Sequence, residues 1–260
     1  MKTTINPLAA LAVMALVVLG LPLGLYALFT KGRRGSMREI RAGAEGRGWK
    51  FRMRRWAGNP TALRIAGRTP GGLDWILKTI GAGTETYSPG WNAELDLLFP
   101  ALAGKVDFAM FPREARDHRT VLLAAGLPPG TQARVASFSP ALGSALEFFQ
   151  DAAEVPTGLP EFDASYRVLA QFPQFRQALD NDLVGRVLHW PQDAIAPQAM
   201  LAWRDPFGLH LRIRLPAAAN WPTVAHAVAV AEQFASRMGG GSMPSAPPSF
   251  VDRLIARFES

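Results

Sequence analysis

The hydrophobic pattern along the chain changes period several times, and each change predicts an element. Residues 7–29, Pro7 to Phe29, carry no charged side chain. As a helix, a run of that length reaches across the hydrocarbon core of a bilayer. Ser36 is placed to cap a short helix from Met37 to about Glu45. Trp49 to Arg55 then alternates strictly, with Trp49, Phe51 and Met53 on one face and Lys50, Arg52 and Arg54 on the other. A period of two is the signature of a half-buried strand. Thr61 to Ala66 and Leu73 to Thr79 follow the turns Gly58-Asn59-Pro60 and Pro70-Gly71-Gly72, so this region reads as an antiparallel meander.

Further on, Leu95 to Phe99 and Val106 to Phe111 are strand-like, and Pro140 to Ala152 has helical spacing. Ala164 to Ala170 predicts a strand, and Pro173 opens a helix that runs through Leu179, Leu183 and Leu188. Ala199 to Trp203 and Phe207 to Arg214 predict a hairpin turned by Asp205-Pro206. Trp221 to Met238 predicts a long helix, with Pro222 in its first turn and Val224, Val228, Ala231 and Phe234 on its buried side.

These elements predict an α+β fold: a single N-terminal transmembrane helix, then an antiparallel sheet with helices packed on one face. Two prolines and a glycine within 154–162 leave room for a division into two sub-domains, 49–153 and 160–238. Around them the pattern marks an anchor over 1–30, a basic juxtamembrane segment over 31–48 and a flexible linker over 239–248. The chain closes with a terminal amphipathic helix over 249–260, whose Phe250, Val251, Leu254, Ile255 and Phe258 share one stripe. So short a helix is marginal alone in water and needs its own domain, a membrane or a partner to cover that stripe.

Charge sharpens this picture. The net charge of +7 over 260 residues is unevenly spread. Residues 31–78 hold 13 Lys/Arg against 3 Asp/Glu, whereas residues 79–260 hold 14 against 18. Lys31, Arg33, Arg34, Arg38 and Arg41 follow the apolar run, and only Lys2 precedes it. The positive-inside rule then predicts a single-pass protein of the inner (cytoplasmic) membrane with its C-terminal domain in the cytoplasm. The expected partner is the lipid bilayer, met by Lys31, Arg33, Arg34, Arg38, Arg41, Lys50, Arg52 and Arg54. Gly20 and Gly24 lie four apart and share a helix face, where a membrane-protein partner or a second copy of the chain could pack closely. Nucleic acid is disfavoured, because a base-stacking sheet needs aromatic and basic side chains on the same face. Here they alternate to opposite faces.

The search for chemistry finds no catalytic, cofactor-binding or metal-ligating set. There is no Cys, which removes disulfides, thiolate metal sites and Cys nucleophiles. His118, His189, His210 and His226 show no zinc-site spacing. Nucleophile-elbow and phosphate-loop motifs are absent from the sequence, and Gly81-Ala82-Gly83 meets Thr86 where a dinucleotide fingerprint needs its third glycine. Asp180 with Asp182, and Glu161 with Asp163, read as helix-end and turn residues.

The order of features resembles a group of uncharacterised bacterial membrane-anchored proteins, a family whose domain has no known function. The resemblance rests on Gly48-Trp49-Lys50-Phe51, on Ile65 to Trp75, on Pro160-Glu-Phe-Asp-Ala-Ser-Tyr-Arg-Val168 and on the helix ending at Leu188, and it spans residues 45–238. It implies a bacterial source and an α+β domain, and it brings no functional residue with it. The expected function is therefore a non-enzymatic interaction or scaffolding domain held at the cytoplasmic membrane face. The alternatives are an accessory subunit of a larger membrane complex and an enzyme acting on a lipid or envelope precursor, with no cofactor implied.

Overall fold

The computed structural model describes residues 36–56, 59–80, 93–113, 148, 152–170 and 179–239. Their strands are β1 (Lys50–Trp56), β2 (Asn59–Arg68), β3 (Asp74–Ile80), β4 (Ala93–Phe99), β5 (Phe108–Pro112), β6 (Ala153–Glu154), β7 (Tyr166–Ala170), β8 (Ala199–Asp205) and β9 (Gly208–Leu215). Among the described residues the helices are α1 over 36–46, α2 (Pro160–Ser165), α3 (Asn181–Leu188) and α4 (Trp221–Met238). A short 3-10 turn, Pro100–Leu102, follows β4.

The strands form one antiparallel sheet in the order β1-β2-β3-β4-β9-β8-β5-β7-β6. The join between β4 and β9 explains that order. Leu95 lies opposite Ile213 and Leu97 opposite Leu211, all four buried on one face. On the other face Glu94 lies opposite Arg214 and Asp96 opposite Arg212. Apolar pairs on one side and opposite charges on the other make each strand the other's best neighbour.

This architecture corrects the predicted fold class. Among the described residues, the α+β arrangement behind a transmembrane helix gives way to a large nine-stranded antiparallel sheet with few helices. Among the described residues no helix is long and apolar enough to cross a membrane. The longest, α4, has 18 residues and carries the polar side chains Glu232, Gln233 and Arg237. The expected single-pass membrane description thus finds no support in the described structure. Residues 7–29, with Gly20 and Gly24, lie outside the described residues, as do Lys31, Arg33, Arg34 and the terminal stripe from Phe250 to Phe258. Nor does the sheet divide in two. Strands from 49–153 and from 160–238 interleave, because β9 and β8 insert between β4 and β5.

The helices gather on one face of the sheet over the main core. Trp75, Leu77, Leu95, Leu97, Leu211 and Ile213 point into it from the strands. Ile40 and Ala44 of α1, Leu183 and Val187 of α3, and Val224, Val228 and Phe234 of α4 meet them. Asn220 caps α4 by accepting from the Thr223 N–H at 3.0 Å. Asp180 caps α3 in the same way, through the Leu183 N–H at 2.8 Å. Such caps satisfy donors that a helix start leaves open, each contributing about 0.5–2 kcal/mol. Gly43 of α1 lies so close to α4 that a Cβ there would stand 2.2 Å from the Trp221 ring. A smaller cluster, Val106, Ala109, Phe111 and Phe148, lies on the opposite face around β5. That face is apolar at the β5 end, and at the β1 end no helix among the described residues covers it.

Candidate functional site

The open end of the second face is basic. Arg52 of β1 pairs in register with Arg64 of β2, Arg64 with Lys78 of β3, and Lys78 with Asp96 of β4. All four alternate away from the buried Leu63, Ile65, Leu77 and Leu97. Three cations thus stand as direct neighbours across three strands. With strands about 4.8 Å apart, the row spans roughly 10 Å. Arg52 and Arg64 are exposed and Lys78 is half-buried, with Lys50 exposed one step along β1. Asp96 closes the row, and an Arg212 guanidinium nitrogen lies 3.9 Å from its Oδ2. Among the described residues no carboxylate forms an ion pair with Arg64 or Lys78.

Beside that row, the β8–β9 hairpin holds a polar cluster. The Trp203 and His210 rings stack with centroids 4.6 Å apart and planes 2° from parallel. The Arg212 guanidinium lies 5.3 Å from the Trp203 ring centre on the same face. Asp205 accepts from the Phe207 N–H at 2.7 Å, the Gly208 N–H at 3.2 Å and the Trp203 indole N–H at 3.1 Å. Its Oδ1 also lies 3.1 Å from His210 Nε2. Burial pushes the Asp205 carboxyl up, but the His210 hydrogen bond and charge, with the Phe207 and Trp203 donors, outweigh it and hold the group below its usual range. A carboxylate with four such contacts clasps a turn. Its lone pairs are committed, so it is poorly placed to take a proton from a substrate.

A third feature lies on the helical face. A groove of about 530 Å³ runs between the β2–β3 turn, the 3-10 turn and the end of α4. Leu73, Leu102 and Ala235 form its apolar wall, and Glu232 lines it from α4. The buried Trp75 indole N–H donates to Glu232 Oε1 at 3.2 Å. Burial pushes the Glu232 carboxyl above its usual value, with the Trp75 hydrogen bond and the Arg47 charge opposing.

The sequence-predicted contacts separate in the structure. Lys50 and Arg52 project from the open sheet face, whereas Arg38 and Arg41 are exposed on α1, which packs on the helical face. Arg41 is also engaged locally with Glu45 at 2.8 Å. The Arg54 side chain lies outside those described. Of the histidines, His226 meets the Arg186 carbonyl at 2.9 Å and the Trp190 ring edge-on. Among the described residues no group of three or more His, Asp or Glu is placed to hold a metal ion. Asp163 accepts from the Thr157 and Gly158 N–H groups, and Asp180 caps a helix, so both serve turns and helix ends as expected. Sequence reasoning missed Arg64 and Lys78, whose signal is their parity in β2 and β3. It also missed Glu232, which reads locally as one more polar residue on an amphipathic helix.

No family model matches the chain, and no curated protein matches it. Among solved structures it is similar to the crystal structure of the mycobacterial trehalose monomycolate transport factor A, TtfA. The identity is 12%, the match covers 83% of this chain and 99% of that one, and the TM-score is 0.42. A likeness at that level assigns no activity to this chain.

Proposed function

We propose that the chain is a non-enzymatic interaction domain that docks on anionic lipid headgroups through the basic end of its open sheet face. The observation that carries this reading is the register Arg52–Arg64–Lys78. Like charges directly opposite one another destabilise a sheet. Packing does not demand them, since their side chains point away from the core. An anionic surface laid over the row would turn that repulsion into attraction, at about 1 kcal/mol for each Lys or Arg near the headgroups. The cytoplasmic leaflet, which carries the anionic lipids, is the surface this reading specifies. The resemblance to the uncharacterised bacterial group belongs to the same proposal, with its motifs at the start of β1 and across α2 and β7.

Lysine footprinting of the full chain tests the docking face. Lys50 and Lys78 should lose reactivity toward an acylating reagent on vesicles rich in phosphatidylglycerol. They should stay reactive on phosphatidylcholine vesicles and regain reactivity in high salt, which screens exposed charges. Equal reactivity on both vesicles would overturn the proposal. So would protection that survives salt, which points to capture by a protein.

A further inference from the structure

The groove at the end of α4 lies on the helical face, apart from the basic sheet face, and carries a single charge among its described lining residues. Its volume of about 530 Å³ lies within the range of small-ligand pockets. Its walls are aliphatic, from Leu73, Leu102 and Ala235. Other polar side chains along it are already engaged. The Thr69 hydroxyl accepts from the Leu73 N–H at 3.0 Å, the Gln233 amide donates to Asp182 at 2.7 Å, and the Ser236 hydroxyl donates to the Gln233 carbonyl at 2.9 Å. Glu232 is the only charged side chain among the described residues of the lining. It is oriented from below by a fully buried indole on β3.

We infer that this groove binds an aliphatic primary amine, with the ammonium group on Glu232 and the alkyl chain along Leu73, Leu102 and Ala235. Charge complementarity selects this ligand. A partly desolvated carboxylate gains most from a cation that restores what burial removed. An alkyl chain gains from leaving water against the aliphatic wall. Anionic amphiphiles would set like charge against Glu232, and neutral alcohols would leave its charge unanswered. Arg47 acts on Glu232 from the edge of α1 at longer range, and its guanidinium is held between the Trp49 and Trp221 rings, 5.1 Å from each centre. The Trp75 contact also provides a reporter, because an ammonium ion on Glu232 changes the field at the indole N–H. This site is independent of the lipid-docking reading, and either can fail alone.

The test titrates n-hexylamine, n-hexanol and hexanoate into the full chain at neutral pH. The Trp75 indole N–H resonance, assigned with Trp75→Phe, is the readout. Hexylamine should bind at least tenfold tighter than hexanol, and hexanoate should not bind. Glu232→Gln keeps an acceptor for Trp75 and removes the charge, so it should erase the preference for the amine. Ser236→Trp, at an exposed position on the groove rim, should block all binding while leaving the fold intact. Equal affinity for amine and alcohol, a preference that survives Glu232→Gln, binding unchanged in Ser236→Trp, or no shift with any probe would each overturn the inference.

Discussion

Arg204 sets its guanidinium against Asp107 as a two-pronged pair, with Nε 2.8 Å from Oδ1 and a second contact to Oδ2, although 97 positions separate the two residues. The pair ties β8 to the segment that leads into β5, and each side chain is only 11% exposed. At that depth the attraction survives because it is bidentate and leaves few hydrogen-bonding groups open. Removing one member strands the other without its counter-charge.

The first prediction follows from that imbalance. Asp107→Ala should cost about 3–5 kcal/mol, because the buried guanidinium loses its bidentate counter-charge. The double variant Asp107→Leu with Arg204→Met should recover much of the loss, since an apolar pair of similar size carries no desolvation penalty. Urea unfolding of the three proteins measures both effects. A single-variant loss below about 1 kcal/mol would place the pair in the class of exposed ion pairs.

Asp205 predicts a dependence on pH. Its carboxyl titrates below the ordinary value when folded, since the His210 and backbone contacts outweigh the upward push of burial. A depressed folded value means that the unfolded chain binds a proton more readily. The clasp therefore adds stability above the unfolded value, near pH 3.9, and that stability fades as pH falls through the lower folded value. At neutral pH Asp205→Asn should be less stable by about 1–3 kcal/mol, with several donors left poorly matched. The difference should shrink in acid. Unfolding midpoints collected across the acid range would expose a constant difference if the charge plays no part.

Gly67 predicts an overpacking cost. A Cβ at this position would stand 2.5 Å from the Trp75 ring and 2.9 Å from Trp49. Those two rings meet edge-to-face at 4.8 Å, which leaves little freedom to retreat. Gly67→Ala should destabilise by about 1–3 kcal/mol. It should also change the near-ultraviolet circular dichroism that the paired indoles generate. A neutral result in both measurements would mean that β2 can shift outward without cost.

Arg64 separates stability from docking. It stands between Arg52 and Lys78 in the cross-strand row. Arg64→Glu replaces two like-charge neighbours by opposite-charge ones and should raise stability by about 0.2–1 kcal/mol. The same variant should lose the protection of Lys50 and Lys78 on anionic vesicles. Thermal unfolding and footprinting of one preparation test the pair of effects together. A fall in stability would show that the row is satisfied within the protein.

Much of the local structure can be read from the chain itself. Strict alternation from Trp49 onward marks β1, and the hairpin from Ala199 to Arg214 matches β8 and β9. The bounds expected for the long helix, Trp221 to Met238, are those of α4. These features depend on periodicity and caps within a few residues. The helix at Pro160–Ser165, only six residues long, gives too little period to register in the sequence. The two-residue strand β6 is too short to show a period at all.

Only the tertiary structure decided which strands become neighbours. The pattern shows that Leu95 and Leu97 share a face, but it does not show that Ile213 and Leu211 lie opposite them. The same holds for both polar sites. Arg52, Arg64 and Lys78 become one row only through register, and Glu232 gains its groove only when α4 settles over Trp75. Element type follows from side chains that are near in sequence and share a face. Partnership follows from burying apolar surface and matching charge over the whole chain, and no local pattern contains that sum.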